Sequence, residues 1–297
     1  MIRTQSWFRE YEWVLVLAVA VLLSGCNNQA ITEIACSAKT DGTIYNGAFI
    51  NESTAVAVGE IGTVRYSRDG GTTWKKGDNT SLCLFGLTIL DDTTFFATGN
   101  GSSVRMTVDG GKTWTALANI PAARGKGLSF ASKDTGWIWS KGALFETVNG
   151  GESLSPIPLP QGMVVIETAL CQESGIGLVC GIDGRIYRTD SAGTSWEKLG
   201  SYIDYLETGF VRQKANDNQT TAIRMEGNNG ALVSIGSVKG KSSLCIIYTV
   251  DGGKSWTQPA LYFPKVPPLA VSFLPSMDIS TFNLDTTISW YRVDFPQ

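Results

Sequence analysis

The 297-residue chain contains no histidine. This absence excludes Ser-His-Asp and Cys-His catalysis and removes the most common zinc and iron ligand sets. No CxxC spacing or Cys/His cluster is present, so we expect no metal site and no cofactor. The charge balance is nearly even, with 24 Lys and Arg against 27 Asp and Glu, so charge gives no reason to expect a nucleic-acid partner. Carboxylate-pair chemistry such as glycoside hydrolysis stays open.

The chain also lacks an apolar run of the roughly 20 residues that a membrane-spanning helix needs. The apolar run at residues 13–23 has eleven residues and follows Arg3 and Arg9. This arrangement is typical of a signal peptide that is removed from the mature protein. An uncleaved membrane anchor is the alternative.

The sequence LSGC at residues 23–26 resembles the lipobox of bacterial lipoproteins. The resemblance implies that Cys26 is acylated and becomes the mature N-terminus, and several acyl chains give stable anchoring. We therefore predict a signal peptide at residues 1–25, a short tether at residues 26–35 and a single domain at residues 36–297. The expected location is the cell envelope, on the outer membrane facing the periplasm or at the cell surface.

One short turn sequence occurs five times. Three copies are nearly identical: SRDGGTTW at residues 67–74, TVDGGKTW at 107–114 and TVDGGKSW at 249–256. Two are weaker: TVNGGESL at 147–154 and TDSAGTSW at 189–196. Successive copies end 40, 40, 42 and 60 residues apart. A period near 40 residues with strand-like flanks is the spacing of one four-stranded propeller blade.

The segments before each turn alternate apolar and polar residues, and no amphipathic helical pattern follows the signal peptide, so we predict an all-β fold. Five turns and a sixth strand-rich unit at residues 269–297 predict a β-propeller of six four-stranded blades, with seven as the alternative. The longest interval holds about twenty extra residues, mostly at 211–221 and 237–243. We expect an N-terminal strand near residues 36–45 to close the ring by pairing with C-terminal strands.

The residues of the turn explain its repetition. The acidic side chain accepts hydrogen bonds from the turn's own backbone, the Ser or Thr hydroxyl joins this network, the glycines supply positive φ, and the Trp packs on the sheet. The turn resembles the Asp-box or BNR repeat of propeller blades. The residues assigned to this structural role are Ser67, Asp69, Gly71, Trp74, Thr107, Asp109, Gly111, Trp114, Asn149, Gly151, Ser191, Gly193, Trp196, Thr249, Asp251, Gly253 and Trp256.

Six cysteines are present, and lipidation of Cys26 leaves an odd number. Alignment of the repeats places Cys171 and Cys180 opposite each other across the first hairpin of a blade. A disulfide is compatible with that placement, and two buried free thiols are the alternative.

Sialidases resemble this chain in the boxes alone. Their Arg-Ile-Pro motif before the first box has no counterpart here, because no arginine occurs between Arg9 and Arg65. In size, export and repeat pattern the chain resembles the Ycf48-like family, whose photosynthetic members assist photosystem II assembly. That resemblance implies a non-catalytic, exported propeller that binds a protein partner or assists complex assembly. A carbohydrate-binding or glycan-cleaving propeller is the alternative.

The same resemblance implies a basic patch near the boxes for an acidic partner. Ordinary solvated arginines on an outer strand are the alternative interpretation. The candidate residues are Arg65, Arg68, Arg105, Arg185 and Arg188.

Overall fold

The computed structural model describes residues 31–39, 44–60, 63–77, 83–100, 103–119, 125–140, 142–171, 174–213, 221–265, 267–273, 279–283 and 287–293. The predicted signal peptide and Cys26 lie outside these residues. Within them, no helix has the length and apolar character needed to cross a membrane.

The described residues form an all-β fold in which every strand pairing is antiparallel. Five sheets have four strands each, and one sheet has five. We call the sheets blades 1 to 6, in the chain order of their first strands. Blade 1 contains β2 (Ile44–Phe49), β3 (Ala55–Gly59), β4 (Val64–Ser67) and β5 (Lys75–Lys76). Blade 2 contains β6 (Leu84–Ile89), β7 (Phe95–Gly99), β8 (Ser103–Thr107) and β9 (Thr115–Asn119).

The remaining blades follow the same order from the inner to the outer strand. Blade 3 contains β10 (Gly125–Phe130), β11 (Gly136–Ser140), β12 (Ala143–Thr147) and β13 (Ser155–Ile157). Blade 4 contains β14 (Val165–Leu170), β15 (Gly177–Gly181), β16 (Arg185–Thr189) and β17 (Glu197–Ser201), followed by a 3-10 helix (Tyr202–Tyr205). Blade 5 contains β18 (Phe210–Arg212), β19 (Thr221–Glu226), β20 (Asn229–Val238), β21 (Lys241–Thr249) and β22 (Ala260–Tyr262). Blade 6 contains β23 (Pro268–Phe273), β24 (Ile279–Asn283), β25 (Thr287–Val293) and β1 (Ile31–Lys39).

The inner strands of successive blades contact one another around a closed ring, from β2 through β6, β10, β14 and β19 to β23 and back to β2. The all-β propeller is therefore confirmed. The predicted count of six four-stranded blades, or alternatively seven, is wrong: five blades have four strands. Blade 5 has a fifth strand because the long interval between the last two boxes supplies β18, which pairs with β20 beyond the part of β20 that β19 occupies.

The N-terminal strand closes the ring. Strand β1 pairs antiparallel with β25, from Ile31 opposite Val293 to Lys39 opposite Thr287. Blade 6 thus takes its outermost strand, β1, from the N-terminal segment and its other three strands from the C-terminal segment. The blade is complete only when these two segments pair. This strand begins at Ile31, ahead of the predicted domain boundary at Cys36.

The core lies between the blades. Strands β3, β7, β11 and β15 are buried along their whole length, not on alternate residues. Each is the second strand of its blade and has a strand on either side, and neighbouring blades cover both of its faces. The alternation expected from the sequence is lost there, because a strand covered on both sides has no solvent-facing positions.

Of the two alternatives for Cys171 and Cys180, the structure has two buried free thiols and no disulfide. Cys180 lies opposite Glu167, whereas the Cys171 amide donates to the Ile176 carbonyl. The two cysteines are therefore separated by four residues along the hairpin, about 13 Å at 3.3 Å per residue. A disulfide requires Cα atoms within about 7 Å. Both side chains are buried, but they do not form a facing pair.

Candidate functional site

Each complete box is a closed network of short hydrogen bonds. In the second box, Thr107 Oγ1 donates to Asp109 Oδ1 at 2.8 Å and accepts from the Gly111 amide at 3.0 Å. The same carboxylate accepts from the Thr113 amide at 2.9 Å and from the Thr113 hydroxyl at 2.7 Å. The first and last boxes repeat these bonds within 0.2 Å. Both carboxylate oxygens are therefore occupied within their own turn.

The two weaker boxes keep the turn with neutral side chains. Asn149 Oδ1 accepts from the Thr147 hydroxyl at 3.0 Å and from the Ser153 amide at 3.0 Å. The Ser191 hydroxyl contacts that of Ser195 at 2.8 Å and accepts from its amide at 3.2 Å. The turn therefore needs an oxygen acceptor at this position, and it forms without a negative charge.

Four of the five boxes also dock on the first hairpin turn of their own blades. The amides of Gly70, Gly110 and Gly150 donate to carbonyls in the turns that join the first and second strands, at 2.8–2.9 Å. Gly252 makes the equivalent bond to the Asn228 carbonyl at 2.8 Å. We call the end of the ring that carries these paired turns the box-turn end. The box thus connects the turn after the third strand of a blade to the turn between its first and second strands.

The hydrogen bonds lower the pKa of the box carboxyls. The Thr73 hydroxyl, the Thr73 amide and the Ser67 hydroxyl together lower the pKa of Asp69 to about 2. For Asp109, partial burial acts in the opposite direction, but the donors of the turn outweigh it and the pKa is lowered. Asp251 behaves in the same way. These carboxylates are charged at neutral pH and serve as acceptors.

The five candidate arginines do not share one surface. Arg65 and Arg105 occupy matching register positions, opposite Ala57 and Ala97, and both are half-buried. In blade 4 that position belongs to Tyr187, opposite Val179. Arg188 is the next residue, so it projects from the other face of its sheet.

The other two candidates lie at opposite ends of the ring. Arg68 is at the box-turn end and bridges two blades, because its Nη2 donates to the Asp109 carbonyl at 3.0 Å. Arg185 begins β16, at the far end, where its guanidinium pairs with Asp183 and donates to the Gly162 carbonyl at 3.2 Å. A continuous basic patch is therefore not assembled from these five residues.

The inner strands enclose a central cavity of about 580 Å³. Strands β6, β10, β14 and β19 and the turns after them form its described wall. The charged side chains of this wall are Asp91, Lys133, Glu167, Arg224 and Glu226. Among the described residues, no group of three or more Cys, Asp or Glu side chains is placed to hold a metal ion.

Sequence reasoning missed Arg224. Its segment, TAIRME, follows directly after the predicted insertion, and no box adjoins it. The available signal was a single arginine between apolar residues. It indicates a cavity residue only when β19 is known to be an inner strand.

Comparisons with known proteins agree with this architecture. The family described as BNR/Asp-box repeat matches residues 65–76. No curated protein matches the sequence. The solved structure "YCF48 bound to D1 peptide" is 15% identical and aligns with a TM-score of 0.51, covering 92% of this chain and 99% of that one.

Two further solved structures have the same fold. YCF48 from Cyanidioschyzon merolae is 13% identical, with a TM-score of 0.50 over 87% of this chain and 99% of that one. The WD40 β-propeller domain of Doa1 is 12% identical, with a TM-score of 0.55 over 89% of this chain and 97% of that one. Together with the boxes, these alignments define the class as a β-propeller with BNR/Asp-box repeats. Within that class the chain is similar to the two YCF48 structures, and at these identities the likeness is one of fold alone.

Proposed function

We propose that this protein is an exported, lipid-anchored and non-catalytic β-propeller that binds a protein partner or assists complex assembly at the cell envelope. The observation that carries the proposal is the alignment over nearly the whole chain with a YCF48 structure that holds a D1 peptide. The occupied box carboxylates support it, since they act as turn acceptors and are not free for chemistry.

The direction of β1 bears on how such an anchor would orient the ring. Lys39 and the start of β2 at Ile44 are joined by four residues, so β1 ends at the face where β2 begins. Strand β1 therefore starts, at Ile31, at the box-turn end of the ring. Cys26 lies five residues earlier, within about 17 Å at full extension. A lipid on Cys26 would hold the box-turn end near the membrane.

Two measurements test anchoring and partner binding separately. Cys26→Ser should move the protein from the membrane to the soluble fraction of the envelope, and the mass of the N-terminal peptide should lose its acyl chains. Affinity capture from solubilised envelopes should recover one defined partner. Arg65→Ala with Arg105→Ala should reduce its recovery, with Lys75→Ala as a surface control. An unmodified Cys26 would contradict anchoring alone.

Glycan cleavage is the second candidate function, because the central cavity contains Glu167 and Glu226 beside Arg224. Sialidases use an arginine cluster and a tyrosine, whereas the described wall contains one arginine and no tyrosine. A panel of chromogenic glycosides distinguishes the two functions. Turnover that Glu226→Gln or Glu167→Gln abolishes would replace the binding proposal with an enzymatic one.

A further inference from the structure

Arg224 faces the central cavity. Its neighbours in β19, Ile223 and Met225, are buried in the core with exposed fractions of 7% and 6%, and alternate residues of a strand face opposite sides. Arg224 itself is half-buried and lines the cavity wall. Thr88 and Ser129 occupy comparable half-buried positions on β6 and β10, each between two buried residues. At these three matching positions the cavity wall therefore presents the Arg224 guanidinium and the hydroxyl groups of Thr88 and Ser129.

The Arg224 guanidinium has no hydrogen-bond or ion-pair partner among the described residues. Burial lowers its pKa, and the charge of Glu226 acts in the opposite direction. It stays positively charged at neutral pH, because an arginine remains protonated in proteins. A partly desolvated guanidinium without an anion loses favourable hydration and gains no compensating bond. Such a group is suited to receive an anionic ligand.

The nearby carboxylates limit what that ligand can be. Asp91 accepts hydrogen bonds from the Thr93 and Thr94 amides, and Glu167 accepts from the Thr168 amide. Glu226 is exposed and lies two residues from Arg224 on the same strand. Lys133 is the second cation of this wall, so three carboxylates face two cations. This excess of negative charge disfavours a dianion such as phosphate, while a single carboxylate matches the fork of the guanidinium.

We propose that the central cavity is a binding site for a carboxylate, held by the Arg224 guanidinium. The site is separate from the boxes and from the five arginines near them, and it does not require a particular protein partner. A volume of about 580 Å³ admits a small organic acid or the carboxylate end of a peptide segment. Both ligands would present the same carboxylate group to Arg224.

The test follows the Arg Nε–H signals by NMR during titration with acetate and with N-acetylglycine. One signal, assigned by its loss in Arg224→Met, should shift saturably with a Kd of about 1–10 mM, as expected for one charge-assisted contact. Neutral N-acetylglycinamide should cause no shift, and phosphate should bind more weakly. Tighter binding of N-acetylglycine than of acetate indicates a peptide carboxylate, and equal binding indicates a free acid.

Variants distinguish a carboxylate site from a structural arginine. Arg224→Met should weaken binding at least about tenfold, whereas Arg212→Met, which removes a half-buried arginine of β18 that does not line the cavity, should leave it unchanged. Glu226→Gln should strengthen binding about two- to fivefold by removing a competing negative charge. Circular dichroism confirms the folding of each variant. No saturation in the wild-type protein, or equal binding in Arg224→Met, would overturn the proposal. So would weaker binding in Glu226→Gln.

Discussion

Thr107→Val tests whether the box stabilises the blade. The substitution keeps the side-chain shape and removes the hydroxyl that accepts from the Gly111 amide at 3.0 Å and donates to Asp109 at 2.8 Å. Thr107 is 2% exposed, so the Gly111 amide would be left without an acceptor. A lost hydrogen bond costs about 1 kcal/mol and an unsatisfied buried amide about 1–3 kcal/mol. We expect the free energy of unfolding to fall by about 2–4 kcal/mol.

The assay is urea unfolding followed by tryptophan fluorescence, with thermal unfolding as a second measurement. A loss of this size should lower Tm by roughly 5–12 °C in a domain of this length. Thr115→Val, at an exposed position of β9, is the matched control and should change stability by less than about 0.5 kcal/mol. Thr189→Val, in the box where Ser191 takes the place of the aspartate, should cost less than Thr107→Val, because the Thr189 hydroxyl does not donate to a carboxylate there. Equal stability of Thr107→Val and Thr115→Val would refute the structural role of the box.

Three further predictions concern single turn residues. The pKa of Asp69 is lowered from 3.8 to about 2 in the folded protein, so its contribution to stability is present above pH 4 and is lost as the pH falls towards 2. The difference in unfolding free energy between the wild-type protein and Asp69→Asn should therefore disappear over that range. Gly110→Ala should destabilise more than Gly162→Ala by thermal unfolding, since both have positive φ but only at Gly110 would a Cβ overlap the Arg68 guanidinium. Ala192→Gly should raise the unfolding free energy by about 0.5–1 kcal/mol, because Ala192 has a φ of 50°; an unchanged value would show that this backbone is unstrained.

The boxes were predictable because their bonds are local. Each network joins residues two and four positions apart, such as Thr107 with Asp109 and Asp109 with Thr113. Residue type and spacing then determine the geometry with little help from the rest of the chain. The period of about 40 residues likewise predicted blades, since one blade cannot bury its two faces alone.

Predictions that depended on register across strands were less successful. The prediction that Cys171 lies opposite Cys180 was wrong, because the hairpin pairs Cys171 with Ile176. That register depends on the length of the turn. The five arginines were expected near the boxes, yet a one-residue offset places Arg188 on the face opposite to the register position of Arg65 and Arg105. A slip of one position exchanges the two faces of a strand.

The sequence by itself determined the all-β class, the repeated blade and the internal bonding of each box, because these follow from contacts within a few residues or from a regular period. Tertiary structure alone decided the extra strand of blade 5, the register in which β1 pairs with β25 and the position of Arg224 in the central cavity. Each of these depends on segments that are distant in the chain and adjacent only when the ring closes. Local residue preferences contain no information about such distances.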